Sequence, residues 1–255
     1  MEDLSLQLVD SSDCLKTEEV AKGIEENAFY LDMVKNGEEE YEDSLGWMDV
    51  DEWAGEKWLT VCRELAQEVR SKADVLVVIG VGGSNQAARA VIEAIGKTEP
   101  VKVLWAGNNI SADSICKVLK EIKGKSVYIN VIAKNFETLE PGIGFRALRR
   151  FLISEYGDSY VERIICTGTR DSHFHDICIK HGYRFLPFPD NIGGRYTAVS
   201  PVGLFPMAVA GIDIEAIAEG ARHMRERLYR EEATENIALK YAVIRNLLYQ
   251  KGFHM

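Results

Sequence analysis

From residue 74 to residue 187 the chain alternates between two hydrophobic patterns. Largely apolar runs at 75–79, 101–105, 127–133, 163–167 and 183–187 are each short enough for a strand. Between them, 84–95, 111–122, 139–155 and 172–180 read as helices. Strand and helix taking turns predict parallel strands joined by crossover helices. The expected fold class is α/β: a doubly wound, mostly parallel five-stranded sheet flanked by helices.

The flanks read differently. Trp53, Trp58, Val61, Leu65 and Val69 recur at helical spacing, so 51–70 is an amphipathic helix. Residues 17–46 form an exposed, acidic helical lead-in, in which NGEEEYEDS (36–44) is a solvated connector. After the last apolar run a polar loop feeds an almost wholly apolar helical stretch at 199–210. Asp213 then caps a further helix, and the final segment is helical again. The expected organisation is a lead-in over 1–50, a ligand-binding domain over 51–190, and a loop with helices over 191–255.

Composition narrows the function. With 255 residues, 46% of them hydrophobic, the chain can bury one large core or two small ones. A net charge of -10 argues against a nucleic-acid partner, because phosphate-backbone binding needs clustered cations. No run approaches the roughly 18 apolar residues that a membrane span needs, and the acidic N-terminus lacks the apolar core of a secretory signal. The cysteines Cys14, Cys62, Cys116, Cys166 and Cys178 are scattered, with no C-x-x-C pair. That pattern suits a reducing cytoplasm and idle thiols, with neither a disulfide framework nor a zinc site. His173 and His175 are two apart on a predicted helix and do not face each other, so no metal is expected.

Ligands of doubly wound sheets bind beyond the carboxyl ends of the strands. Among the post-strand loops, GVGGSNQ (80–86) is the first candidate. Gly80 and Gly82 match two positions of a dinucleotide fingerprint, but Asn85 stands at its third glycine, and the second strand closes without a ribose-binding acid. No nicotinamide cofactor is expected. Gly82 and Gly83 instead bare the backbone beside Ser84, Asn85 and Gln86, which suits hydroxyls or one phosphate at a helix N-terminus. A tight strand-to-helix turn would use the same glycines. In the loop at 134–138, Lys134, Asn135 and Thr138 precede a helix start and form a phosphate cradle, or else a surface lysine with a capping threonine. In DNIGGRYT (190–197), Gly193 and Gly194 present Arg195, a permanent cation able to clamp an anion or pair with Asp190.

Four segments together resemble one family, glucose-6-phosphate isomerase, in its N-terminal sugar-isomerase (SIS) domain. VVIGVGGSNQAARAVIEAI resembles the family's glycine-serine motif, and VIAKNFETLEPGIGFR its phosphate loop. PDNIGGRYTAVSPVGLFPMAVAGIDI resembles its long arginine signature, and LGWMDV a bacterial feature before the first helix. The likeness runs from about Leu45 to Met255. It implies a three-layer αβα domain of SIS type and an enzyme of glycolysis and gluconeogenesis that interconverts glucose 6-phosphate and fructose 6-phosphate.

Carried over position by position, the resemblance implies that Gly83 and Ser84 contact the sugar phosphate. Lys134 and Thr138 match the phosphate cradle, where Asn135 offers an amide in place of a hydroxyl, and Arg195 after Gly194 matches the residue that stabilises a negative cis-enediolate. Ala133 and Asn135 depart from the family's hydroxyl-bearing residues around the lysine. The family's glutamate base and its ring-opening histidine and lysine belong to a second SIS domain and tail, with no match in this chain. The resemblance thus implies an N-terminal half without useful turnover alone, needing no cofactor, and a cytoplasmic homodimer for the complete enzyme. The alternative is a non-catalytic phosphosugar sensor on the same fold.

Overall fold

The computed structural model describes residues 5–7, 14–38, 45–95, 101–134 and 137–253. In chain order it contains α1 (Thr17–Asn27), α2 (Phe29–Asn36), α3 (Val50–Trp53) and α4 (Glu56–Lys72). The alternating region follows as β1 (Val75–Ile79), α5 (Gly83–Ile95), β2 (Lys102–Ala106), α6 (Ala112–Ile122) and β3 (Val127–Ala133). It continues through α7 (Leu139–Tyr156), β4 (Ile164–Gly168), α8 (His173–His181) and β5 (Arg184–Pro187). Three helices close the described chain: α9 (Pro201–Val209), α10 (Ile214–Arg230) and α11 (Ile237–Gln250).

The sheet is five-stranded and all its pairings are parallel, in the order β2-β1-β3-β4-β5. Every residue of β1, β3 and β4 is buried, as expected of central parallel strands covered on both faces. Alternate residues feed two cores. Leu76, Val78, Tyr128, Ile132 and Ile165 pack with Leu59, Cys62, Ala66 and Val69 of α4 and with Val202, Phe205 and Val209 of α9. Val77, Ile79, Ile129, Val131 and Cys166 pack with Phe145, Leu148 and Leu152 of α7 and with Phe174 of α8. The result is three layers, helix on sheet on helix.

The two cores explain local details. All nine residues of α9 are buried, so its apolar run has no outward polar face. Ser200 caps it by accepting from Val202 N–H, and Pro201 opens its first turn. Asp213 accepts from Ala216 N–H at 2.9 Å, at the start of α10. The helix expected over 51–70 is in fact two. α3 ends at Trp53 and α4 starts at Glu56. A side chain on Gly55 would lie 2.2 Å from the Asp51 carbonyl, so this glycine permits a sharp corner that helical periodicity does not reveal.

The chain divides into two compact units, one of residues 46–221 and the other of 1–45 with 222–255. In the second, Val20 and Ile24 of α1 pack on Leu239, Val243 and Ile244 of α11. The acidic lead-in is helical as α1 and α2, whereas most of the connector at 36–44 lies outside the described residues. No helix among the described residues is long and apolar enough to cross a membrane.

Candidate functional site

In the strand order 2-1-3-4-5, connections from β1 and β3 leave toward opposite faces, which opens a crevice at the carboxyl ends of that pair. The loop after β1 holds Gly80 to Gly83, and the loop after β3 begins at Lys134. Gly107, after β2, has φ of 70° and lies within 3.1 Å of where a Cβ on Gly144 would sit. A Cβ on Gly107 itself would meet Pro141 Cα at 3.1 Å, so the glycine lets the first turn of α7 settle beside β1. The N-termini of α5 and α7 therefore both open at this end of the sheet, each with amides that no helical carbonyl receives.

Gly82 takes the left-handed conformation, φ 59°, which turns the chain from β1 into α5. Gly83 carries the closest approach. A Cβ there would stand 1.9 Å from the Gly194 carbonyl oxygen and 2.6 Å from Arg195 Cα. The glycine loop and the arginine loop therefore touch backbone to backbone, and only glycine fits between them. Ser84 follows at the first turn of α5, half-buried. Asn85 does not face the ligand side as the sequence suggests. It is 0% exposed, and its amide donates to Gly80 O at 3.3 Å, tying the turn from within.

Lys134 reaches across to the arginine loop. Its ammonium donates to Asp190 O at 2.9 Å and to Ile192 O at 3.5 Å, and stands 5.8 Å from the centre of the Phe188 ring. Its own carbonyl accepts from Thr169 N–H at 3.1 Å, which levels it with the end of β4. Asn135 lies outside the described residues. Thr138 is the N-cap residue of α7, with extended backbone, yet its hydroxyl receives no amide of the helix.

Gly194 opens a 3-10 turn over Gly194–Val199. The Thr197 hydroxyl donates to Gly194 O at 2.9 Å, and the Ser200 hydroxyl donates to Thr197 O at 2.8 Å, winding the turn tightly onto α9. Arg195 is exposed at its start. Among the described residues its guanidinium has no ion-pair or hydrogen-bond partner, and Asp190 does not take it. A feature that no spacing in the sequence announces is the stack of Tyr196 on Trp47, with ring centres 5.7 Å apart and planes at 21°.

The remaining post-strand loops spend their polar groups locally. Asn109 accepts from Ser111 N–H, and Ser111 caps α6. Ser172 caps α8, while the His175 ring accepts from Asp171 N–H and packs on Phe185. Among the described residues no group of three His, Cys, Asp or Glu could hold a metal ion. The glycine loop at 82–84, Lys134 with Thr138, and residues 194–195 remain as the candidate positions at this end of the sheet.

Those segments fall within a stretch that matches known proteins. The family model for phosphoglucose isomerase matches residues 62–254. The chain belongs to the phosphoglucose isomerase family. Relatives named glucose-6-phosphate isomerase include one from Staphylococcus epidermidis, 37% identical over 83% of this chain and 49% of its own length. Another, from Clostridium perfringens, is 35% identical over 98% of this chain and 58% of its own. The chain thus spans about half the length of the curated relatives it matches. Among solved structures, a hypothetical protein of Thermus thermophilus shares the fold, with TM-score 0.80 and 24% identity over 91% of this chain and 55% of that one. A glucose-6-phosphate isomerase of Chlamydia trachomatis aligns with TM-score 0.67 and 25% identity over 78% of this chain and 38% of that one. Both the glycine loop and the arginine loop lie inside the residues that the family model matches.

Proposed function

We propose that this chain forms the phosphosugar-binding half of a cytoplasmic glucose-6-phosphate isomerase. The observation that carries the reading is the backbone contact of Gly83 with Gly194 and Arg195, beside a lysine bonded to the same arginine loop. Two helix N-termini and a lysine suit one phosphate, and a permanent cation with no partner among the described residues suits a second negative charge.

In this reading the sugar phosphate rests its phosphate on Ser84, Lys134, Asn135 and Thr138, with the amides of Gly83 and of the first turn of α7. Isomerisation moves a proton between C2 and C1 through a cis-enediolate. Arg195 faces the enediolate oxygen and lowers its energy more than that of the neutral carbonyl, which is what accelerates a reaction. Lys134 gives up its bonds to the Asp190 and Ile192 carbonyls in favour of the phosphate. The carboxylate base that takes the C2 proton comes from outside this chain, in a second SIS-type domain that the longer relatives have room for. Residues 1–50 and 191–255 flank the phosphosugar-binding core at 51–190, and the complete enzyme works as a homodimer. The chain alone has no useful turnover.

The test is calorimetric titration of the folded chain with fructose 6-phosphate, repeated on Arg195→Ala and Lys134→Ala. Each variant is expected to bind about tenfold or more weakly, the scale of one lost charge-assisted hydrogen bond. A folded wild-type chain that takes up no fructose 6-phosphate, or variants that bind as well as wild type, would overturn the reading. Isomerase turnover by this chain without any other segment would overturn the placement of the base.

A further inference from the structure

The arginine loop is fixed mainly through its backbone. Lys134 holds the carbonyls of Asp190 and Ile192 on one side. Gly46 N–H donates to Asn191 O at 3.0 Å on another. Gly83 abuts Gly194 on a third. None of these anchors acts on a side chain at 195 or 196, and the whole stretch 193–196 is exposed. A long cation on an exposed turn would sweep many directions, and stabilising a developing charge needs a donor already aimed.

One contact restricts that turn from outside. The Tyr196 ring stacks on Trp47, which belongs to the 3-10 turn Gly46–Met48. Trp47 is 41% exposed and Tyr196 54%, so burial alone gives little reason for either ring to stay where it is. Offset stacking adds attraction beyond the buried area. The turn that carries Trp47 also lies flush on the loop. A Cβ on Gly46 would sit 2.2 Å from Asn191 Cγ. Backbone bond, glycine contact and ring stack thus brace one face of the arginine loop.

We infer that Trp47 is a positioning residue for Arg195, acting through its stack on Tyr196. The inference rests on the reading of Arg195 as the partner of the enediolate. By holding the ring of residue 196, Trp47 narrows the backbone freedom of residue 195 and keeps its guanidinium over the crevice. It touches no substrate and moves no proton.

The experiment uses this chain with Trp47→Ala, Tyr196→Ala and Trp47→Phe. Two ligands are titrated: fructose 6-phosphate and 5-phosphoarabinonate, whose carboxylate carries the negative charge of the enediolate. Both alanine variants are expected to lose preference for the aldonate over fructose 6-phosphate by about three- to tenfold, the scale of one aromatic stack. Trp47→Phe restores most of it. In an Arg195→Ala background, Trp47→Ala changes the preference no further, since the two act as one unit. A ligand-free readout stands beside these. The Tyr196 amide, which donates to Gly193 O at 2.9 Å, exchanges its hydrogen faster in Trp47→Ala while β1 and β3 keep their protection.

Equal loss of both ligands with the preference kept would overturn the inference, and so would unchanged exchange at Tyr196. If Arg195→Ala itself leaves the preference untouched, the reading of Arg195 fails, and the exchange rate alone decides whether Trp47 braces the loop.

Discussion

At the amino ends of the strands, Glu68 accepts from Arg184 at 2.5 Å, from Lys72 at 3.1 Å and from the Tyr128 hydroxyl at 3.2 Å. At the carboxyl ends, by contrast, the Arg195 guanidinium has no partner among the described residues, and the Thr138 hydroxyl caps no amide. Arg163 belongs to the first group too. It donates to Ser126 Oγ at 2.7 Å and lies over the rings of Tyr128 and Tyr156 at 4.9 and 4.4 Å. One end of the sheet has matched its charges with each other, while at the other Arg195 and the Thr138 hydroxyl keep donors that no described residue takes. A group without a partner costs stability where it is buried, but these sit in or beside a crevice where water reaches them. Under the proposed function, the difference separates residues that hold the fold from residues that serve a ligand.

The largest break should come from Gly83→Ala. The new methyl would meet backbone on the arginine loop, which cannot swing aside as a side chain tip can. Overpacking of this kind costs about 1–3 kcal/mol, and binding of fructose 6-phosphate should be lost because the two loops are forced apart. Gly142→Ala is the control. It lies within α7 with nothing near its missing Cβ, so the same methyl should stabilise by about 0.5–1 kcal/mol through helix propensity. Urea denaturation and titration of both variants check the contrast. Equal effects would mean that the Gly83 contact does not constrain the loops.

The next test acts on the other end of the sheet. Burial pushes the Glu68 carboxyl up, but the hydrogen bond from Lys72 and the charges of Arg184 and Lys72 outweigh it, so its pKa lies below 4.5. A carboxylate depressed in the folded state stabilises fully above its unfolded pKa. That contribution fades as pH falls through the folded value. Glu68→Gln should therefore cost about 1–2 kcal/mol at neutral pH. The gap between variant and wild type should close only below pH 4.5. Fructose 6-phosphate affinity at neutral pH should stay unchanged, because the cluster is at the opposite end of the strands. A gap that is constant down to the acid limit would show that the carboxylate is not the stabilising form.

How much of this was legible in the sequence follows from the range over which each feature acts. The runs 75–79 and 127–133 read as strands because central parallel strands are near-continuously apolar, and they coincide with β1 and β3. The loops around Gly83, Lys134 and Arg195 stood out because glycines and cations interrupt apolar elements at strand ends. Contacts between distant segments left no such trace. Nothing in the spacing says that the Lys134 ammonium binds the carbonyls of Asp190 and Ile192, or that Trp47 stacks on Tyr196. Asn85 misled for the same reason, since a polar residue at a helix start reads as ligand-facing until packing turns it inward. The corner at Gly55 was hidden because helical periodicity continues on both sides of it.

The smallest expected change in stability is also the one that separates two roles most cleanly. A threonine at the N-cap of a helix usually accepts an amide, and its loss costs about 0.5–2 kcal/mol. The Thr138 hydroxyl makes no such bond in α7. Thr138→Ala should accordingly leave the denaturation midpoint almost where it was, within about 0.5 kcal/mol, as for an ordinary surface substitution. If the hydroxyl is reserved for a phosphate, the same change should weaken fructose 6-phosphate by about three- to tenfold, the worth of one neutral hydrogen bond. Thr138→Ser should bind as wild type does, because it keeps the oxygen and drops only the methyl. A variant that loses stability and keeps its affinity would return Thr138 to the role of a helix cap, and the cradle would then rest on Lys134, Ser84 and the amides alone.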